Sequence, residues 1–131
     1  MAFALGPIGQ IGLGAADVDR AERFYGEMLG LRKLFRFGDL SFYDCAGVRL
    51  LIEKTVGAGP AGGSPIYFRV ADIALARREL ETRGVRFVDH IHLVAPMADH
   101  DLWMTFFNDP DGHILALMCE APKGYQPNAA G

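Results

Sequence analysis

The stretch Asn108-Asp109-Pro110-Asp111-Gly112-His113-Ile114-Leu115-Ala116-Leu117-Met118 predicts a tight turn that leads into a buried strand. Pro110 fixes φ at the second turn position, and Gly112 accepts the positive φ that closes such a turn. The apolar run from Ile114 to Met118 is typical of a strand that is covered on both faces. The whole chain of 131 residues is long enough for one domain with a substantial core.

A second stretch, Ala16-Asp17-Val18-Asp19-Arg20-Ala21-Glu22-Arg23-Phe24-Tyr25-Gly26-Glu27-Met28-Leu29-Gly30-Leu31, predicts a helix. Asp17 can cap its start, apolar residues then recur at helical spacing, and Gly30 ends it. The Gly-rich stretch from Thr55 to Ser64 offers few side chains to pack, and we interpret it as a linker. The pattern restarts after this linker, where Asp72 can cap a second helix.

Strands are predicted on both sides of each helix, and the two halves of the chain repeat. Asp17 and Asp72 lie 72 − 17 = 55 positions apart, and Ile11 and Ile66 have the same offset. This offset predicts one 1–131 domain of class α+β, built of two βαβββ modules (8–54 and 64–120) and followed by a loose tail (121–131). We expect two curved mixed sheets that enclose a cavity. The predicted strands are Ile8 to Leu13, Leu31 to Phe37, Leu40 to Asp44, Val48 to Glu53, Ile66 to Val70, Val85 to Val94, Trp103 to Phe107 and Ile114 to Met118.

Composition excludes several classes of partner. The net charge of −3 gives no basis for binding nucleic acid or an anionic membrane. No apolar stretch approaches the length of a membrane span, and the first residues do not resemble a signal peptide. Cys45 and Cys119 both lie in apolar runs, which favours two buried thiols over a disulfide. We therefore expect a cytoplasmic protein.

The turn at Asp109 and the helical stretch from Ala16 to Leu31 together resemble the vicinal oxygen chelate superfamily, which includes glyoxalase I, bleomycin-resistance proteins, fosfomycin-resistance enzymes and extradiol dioxygenases. The resemblance runs from about Ile8 to Glu120. It implies two βαβββ modules around a cavity that takes a small molecule. It also implies a homodimer, an expectation that the open edges of two four-stranded sheets support.

Alternation along the predicted strands assigns side chains to the cavity. If the other parity of each strand packs under a helix, the cavity is lined by Gln10, Arg49, Leu51, Glu53, Tyr67, Arg69, His90 and His92. His100 and Trp103 can close the site from the loop that precedes them, although Trp103 is more often a core anchor. Glu53 and Arg69 can instead pair with each other. The candidate catalytic groups are Glu53, His92 and Tyr67, and Arg69 could stabilise an anion.

The resemblance also implies positions for a metal, on the first and last strand of each module. In this chain those positions are assigned to Gln10 and Glu53 in the first module, and to Pro65 and Ala116 in the second. Pro65 and Ala116 cannot ligate through their side chains, and a divalent metal needs at least three protein ligands as a rule. We therefore expect no cofactor. A displaced divalent metal on Glu53, His92 and His100 remains the alternative.

Three functional hypotheses follow. The first is a metal-free member that binds or processes a small organic molecule, as bleomycin-resistance-type relatives do. The second is a metal-dependent lyase, isomerase or dioxygenase with relocated ligands. The third is an accessory protein that uses the fold as an interaction scaffold, which the polar lining of the predicted cavity disfavours.

Overall fold

The computed structural model describes residues 3–4, 7–55 and 64–127. The chain divides into two compact units, Met1–Gly59 and Pro60–Gly131. The predicted linker lies outside the described residues, except for Thr55 and Ser64. No helix in the described ranges could span a membrane.

The first unit is a four-stranded mixed sheet with helical segments on one face. Its strands have the order β1-β4-β3-β2, in which β1 and β4 are parallel and the other pairs are antiparallel. A short α-helix follows β1 and continues directly into a π-helix. The elements are β1 (Gln10–Ala15), α1 (Val18–Glu22), the π-helix (Arg23–Met28), β2 (Arg32–Phe37), β3 (Leu40–Cys45) and β4 (Val48–Lys54).

The core of the first unit lies between the sheet and its helical segments. Alternate strand residues supply one side of this core, and apolar helical residues supply the other. Burying these side chains removes apolar surface from water, which is the main favourable term in folding. The buried set is Leu13, Ala15, Val18, Ala21, Phe24, Tyr25, Ser41, Tyr43, Leu50 and Ile52.

The second unit repeats the arrangement, with strand order β5-β8-β7-β6 and a parallel β5–β8 pair. Its helix packs against β8, and its core contains Ile73, Val85, Trp103, Thr105, Phe107, Leu115, Leu117 and Cys119. The elements are β5 (Ile66–Arg69), α2 (Ile73–Thr82), β6 (His92–Pro96), β7 (Asp101–Asn108) and β8 (Ile114–Ala121). The two mixed sheets confirm the predicted α+β fold of two βαβββ modules.

Both predicted helix caps are confirmed. The side chain of Asp17 accepts a hydrogen bond from the backbone N–H of Arg20, and that of Asp72 accepts one from Leu75. An aspartate at this position satisfies an N–H group that has no partner within the helix. Asp17 and Asp72, which the 55-residue repeat relates, therefore cap their helices in the same way.

The predicted turn before β8 is also confirmed. Asp109 Oδ1 accepts hydrogen bonds from the backbone N–H groups of Asp111 (2.9 Å) and His113 (2.8 Å). Gly112 has φ +87°, a conformation that favours glycine. Asp109 is buried by these contacts.

The first predicted helix is confirmed, but its second half is of a different type. It changes from an α-helix to a π-helix at Arg23, and apolar spacing over so few residues fits both the i→i+4 hydrogen bonds of an α-helix and the i→i+5 bonds of a π-helix. One strand prediction was wrong. The strand expected from Val85 to Val94 starts only at His92, although Phe87 forms an isolated bridge with Phe107. Where strand hydrogen bonds to β7 were expected, the Asp89 carboxylate accepts a hydrogen bond of 2.8 Å from the backbone N–H of Phe106.

The segment that follows Met118 continues β8 to Ala121, which is buried. Tyr125 then donates a hydrogen bond of 3.2 Å from its hydroxyl to Asp72 Oδ1, the cap of α2. The last residues of the predicted tail, 128–131, lie outside the described part of the chain.

Candidate ligand-binding site

Each sheet has one face against a helix and one face that is free of helix. In the first unit, Ser41 Oγ donates to Glu22 Oε2 of α1 at 2.7 Å, so the odd-numbered residues of β3 face the helix. Phe42 therefore faces the other way. The strand register extends this helix-free side, which we call the first-sheet face, to Gln10, Gly12, Phe35, Phe42, Arg49, Leu51 and Glu53.

Arg49 lies at the centre of the polar part of the first-sheet face. Its Nε donates a hydrogen bond of 2.7 Å to Gln10 Oε1, and the two residues are register partners on the parallel strands β1 and β4. The guanidinium carbon also lies 5.5 Å from the centroid of the Phe42 ring. The neutral amide and the ring hold the guanidinium in place without neutralising its charge.

Aromatic rings continue this face beside Arg49. The rings of Phe35 and Phe42 stack with centroids 4.4 Å apart and an interplanar angle of 21°. Phe35 keeps 51% of its surface exposed, and Phe37 keeps 73%. A planar apolar group could stack on such a surface while an attached polar group reaches Arg49.

The helix-free face of the second unit is defined in the same way. Thr105 accepts a hydrogen bond of 2.8 Å from Arg77 of α2, so Thr105 faces the helix and Phe106 faces away from it. The register extends this side, which we call the second-sheet face, to Tyr67, Arg69, His92, Met104, Phe106, Ala116, Met118 and Glu120.

An aromatic group forms one part of the second-sheet face. The ring of Phe106 lies edge-on to Tyr67, with centroids 6.0 Å apart, and stacks with the ring of His92 at 6.2 Å and 17°. Ala116 lies between Tyr67 and Phe106 in the register and is fully buried. The rings therefore present one apolar surface with an imidazole at its edge.

A chain of charged groups forms the other part. Arg69 Nη2 pairs with Glu120 Oε1 at 2.8 Å, and Glu120 Oε2 lies 3.1 Å from His100 Nε2. His100 Nδ1 lies 2.7 Å from Asp99, and this hydrogen bond lowers the pKa of the Asp99 carboxyl. Both ring nitrogens of His100 therefore lie next to carboxylate oxygens. Arg69 therefore pairs with Glu120, whereas the sequence analysis offered Glu53 as its partner.

Two candidate site residues lie elsewhere than expected. His90 precedes β6, so it does not share a strand face with His92, and its backbone oxygen instead accepts from His92 Nδ1 at 2.9 Å. Trp103 alternates with Met104 and lies on the helix side of β7, where 8% of it is exposed. Its indole N–H has no hydrogen-bond partner among the described residues. Gln10, Arg49, Leu51, Glu53, Tyr67, Arg69 and His92 lie on the helix-free faces, as alternation predicted.

The strand register does not fit a metal on the two ligand positions assigned in the first module. Gln10 pairs with Arg49, whereas Glu53 pairs with Gly14, so Gln10 and Glu53 are separated by four residues along the strands. That offset corresponds to about 13 Å, too far for two ligands of one ion. The oxygen of Gln10 also accepts a hydrogen bond from a cation, Arg49.

The 55-residue repeat gives a second way to relate β4 to β8. Gly12 and Tyr67 lie 55 positions apart, and their register partners are Leu51 and Ala116. The residue of β4 that corresponds to Ala116 is therefore Leu51, and Glu53 lies two residues beyond it. With Pro65 just before β5, Gln10 is the one residue of this revised set with a ligating side chain.

The displaced metal on Glu53, His92 and His100 also lacks support. His92 begins β6 opposite Met104, while His100 precedes β7 next to the pair Pro96–Asp101. Four residues separate these positions along β7, about 13 Å. Among the described residues, no three His, Cys, Asp or Glu side chains come together as a group that could hold a metal ion.

Sequence reasoning missed several residues of these faces, among them Phe106, Glu120 and Phe42. Phe106 was missed because both parities of β7 are apolar. Glu120 was missed because β8 was ended at Met118, although continued alternation would have included it. Phe42 was missed because no face had been assigned to β3.

The family is shown by comparison with known proteins. The family model for the glyoxalase/bleomycin resistance protein/dioxygenase superfamily matches residues 7–117. No curated protein gives a significant match to the chain.

Solved structures share the fold at low sequence identity. The chain is similar to a glyoxalase/bleomycin resistance protein/dioxygenase from Nocardioides (TM-score 0.75, 18% identity, 96% of this chain and 90% of that chain). It is also similar to a lactoylglutathione lyase from Agrobacterium tumefaciens (TM-score 0.73, 21% identity, 94% of this chain and all of that chain). The chain therefore belongs to the glyoxalase/bleomycin resistance protein/dioxygenase superfamily.

Proposed function

We propose that this protein binds a small, partly aromatic molecule that carries an anionic group, on the first-sheet face and without the usual divalent metal. The observation that carries the proposal is the environment of Arg49, whose guanidinium contacts a neutral amide and an aromatic ring. An anionic ligand would give this cation a partner of opposite charge, and hydrogen bonds between ionised groups are stronger than neutral ones.

The contrast with Arg69 supports the choice of Arg49. Arg69 forms a close ion pair with Glu120, so its charge is already compensated. Arg49 has no ion pair with a carboxylate among the described residues; its cross-strand neighbour Asp44 pairs with Arg32 at 3.6 Å. We therefore assign the anionic group of the ligand to Arg49.

Glu53 does not oppose an anion at Arg49. The two residues lie four positions apart on β4, about 13 Å along the strand. At physiological ionic strength, the repulsion between two exposed charges is largely screened beyond about 8 Å. An acidic group bound at Arg49 would therefore feel little effect from Glu53.

The aromatic preference rests on the stacked and exposed rings next to Arg49. A ligand ring placed against Phe35 would bury apolar surface on both partners, worth about 25 cal/mol per Å². The anionic group and the ring are thus recognised by adjacent parts of one sheet face. The alternative, a metal-dependent lyase, isomerase or dioxygenase, is disfavoured by the register that separates the candidate ligands.

Fluorescence titration tests the proposal. The probe is anilinonaphthalene sulfonate, and the matched control is the neutral N-phenylnaphthylamine, which keeps the rings and lacks the sulfonate. We expect the anionic dye to bind more tightly than the neutral dye, with an affinity unchanged by EDTA. Equal affinity for both dyes, or loss of binding in EDTA, would overturn the proposal.

A further inference from the structure

We propose that His92 is a general base on the second-sheet face and that its substrate is an aromatic carbon acid. A catalytic step of this kind goes beyond ligand binding. It does not depend on the ligand proposed for Arg49, because all the residues that carry it belong to the second unit. The imidazole of His92 has two nitrogens, Nδ1 and Nε2, and the contacts of the ring identify which of them acts as the base.

The backbone fixes the tautomer of His92. Nδ1 lies 2.9 Å from the backbone oxygen of His90, and a carbonyl oxygen can only accept a hydrogen bond. Nδ1 therefore carries the proton when the ring is neutral, and Nε2 carries the lone pair. A histidine prepared in this way presents its basic nitrogen away from the hydrogen bond that orients it.

Asp89 completes the arrangement. Its Oδ2 lies 3.5 Å from His92 Nδ1, while its Oδ1 accepts from Thr105 Oγ1 at 3.0 Å and from the backbone N–H of Phe106 at 2.8 Å. These two bonds hold the carboxylate in place. The carboxylate therefore lies beside the protonated Nδ1 and helps to fix the orientation of the imidazole ring.

The neighbours of His92 indicate where the proton comes from. On the second-sheet face its neighbours are Met104 and Phe106, which have no acidic proton. Among the described residues of this face, neither neighbour offers the base a hydroxyl or thiol to activate, so the proposal gives it a bound molecule as its substrate. The ring of Phe106, edge-on to Tyr67, offers an aromatic ligand a surface next to Nε2.

A row of residues across the sheet offers a surface for such a ligand. His92, Met104, Met118 and Arg69 are successive register partners on four neighbouring strands. Three strand spacings separate the outer two, about 14 Å between Cα atoms. The two thioethers between them are flexible and polarisable, and they can adapt to a flat ligand.

The reaction can be followed with 5-nitrobenzisoxazole, a neutral aromatic carbon acid. Nε2 takes the proton from its ring C–H, and the C–H electron pair forms the nitrile. The N–O bond breaks at the same time, and its electron pair stays on oxygen as a coloured phenolate. No oxidant, reductant or second substrate is needed, and water takes the proton from the imidazolium.

We expect the wild-type protein at pH 8 to convert this probe faster than the same concentration of free imidazole. The rate of His92→Gln should be lower than that of wild type by at least about 100-fold, the lower end of what general base catalysis contributes. His113→Gln is the matched control, because His113 lies in the turn before β8, away from the residues paired with His92. A wild-type rate no higher than that of imidazole, or an unchanged rate in His92→Gln, would overturn the proposal.

Nitrogen-edited NMR of the imidazole rings provides a second readout that does not depend on turnover. We expect His92 at pH 8 to show a protonated Nδ1 and a bare Nε2, the opposite of the tautomer that free histidine favours. A protonated Nε2 would overturn the proposal. Binding of anilinonaphthalene sulfonate at Arg49 should persist in His92→Gln, so a failed base and a failed ligand site give different results.

Discussion

Arg49 and Gln10 are register partners on parallel strands, and the Nε of Arg49 donates a 2.7 Å hydrogen bond to the side-chain oxygen of Gln10. This hydrogen bond bears on both the metal hypothesis and the proposed ligand. It places the cation Arg49 beside Gln10, which the sequence suggested as a metal ligand. Arg49 has no ion pair with a carboxylate within the described part of the chain. The same bond therefore weakens the metal hypothesis and supports an anionic ligand.

The first prediction concerns metal content. Protein purified without chelator should contain no stoichiometric zinc, nickel or iron, because the candidate ligands are separated along the strands. Elemental analysis measures this directly. Stoichiometric metal that disappears in Glu53→Ala would show that Glu53 does ligate, and metal lost in both His92→Ala and His100→Ala would support the displaced site.

The second prediction concerns Asp89. Asp89→Ala removes the acceptor for Thr105 Oγ1 and for the backbone N–H of Phe106, both next to the core. A buried donor left without a partner costs about 1–3 kcal/mol, so the free energy of unfolding should fall by that amount. Urea unfolding measures it. Asp99→Ala is the control, since its side chain is 88% exposed and its loss should barely move the midpoint.

The third prediction concerns Glu22 and pH. Burial raises the pKa of Glu22, but hydrogen bonds from Ser41 and Lys33, together with the charges of Lys33 and Arg36, outweigh it and hold the pKa below its ordinary value of 4.5. A carboxyl with a lowered pKa in the folded state stabilises the fold above the unfolded pKa, and this contribution is lost as pH falls through the folded pKa.

Glu22→Gln should therefore lower the free energy of unfolding at pH 7 by about 1–2 kcal/mol, and the difference from wild type should shrink as pH falls below 4.5. Urea unfolding across this pH range measures both effects. Glu27→Gln on the exposed side of the π-helix should change little at any pH. A Glu22 effect that is independent of pH would contradict the charge-based explanation.

The fourth prediction concerns assembly. Family resemblance and the open edges of the two four-stranded sheets favour a homodimer. Light scattering at micromolar concentration should give twice the 14.3 kDa mass of the chain. A monomer mass at that concentration would count against it.

The sequence predicted the fold well because its signals are local. Asp17 and Asp72 cap helices through their own side chains, and Asp109 organises its turn through neighbouring N–H groups. Strand alternation likewise placed Arg49 and Tyr67 on the correct faces. Such features depend on contacts within a few residues, which a single sequence contains.

The site was predicted less well because it depends on register between strands. Alternation put Gln10 and Glu53 on the same face, but only the pairing of β1 with β4 shows that they are four residues out of step. The same limit applies to Arg69, whose partner Glu120 lies on a strand 51 residues later in the chain (120 − 69 = 51). His90 and His92 were placed together because nothing local marks the start of β6.

The most direct test of the central claim compares Arg49→Gln with Arg69→Gln in titrations with anilinonaphthalene sulfonate. Loss of a charge-assisted hydrogen bond costs about 1.5–3 kcal/mol, so Arg49→Gln should bind the anionic dye about 10 to 150 times more weakly. Arg69→Gln should bind it nearly as well as wild type, because the charge of Arg69 is compensated by Glu120. Neither variant should change the affinity for N-phenylnaphthylamine. An unchanged affinity of Arg49→Gln for the anionic dye, with the fold intact by circular dichroism, would contradict the account.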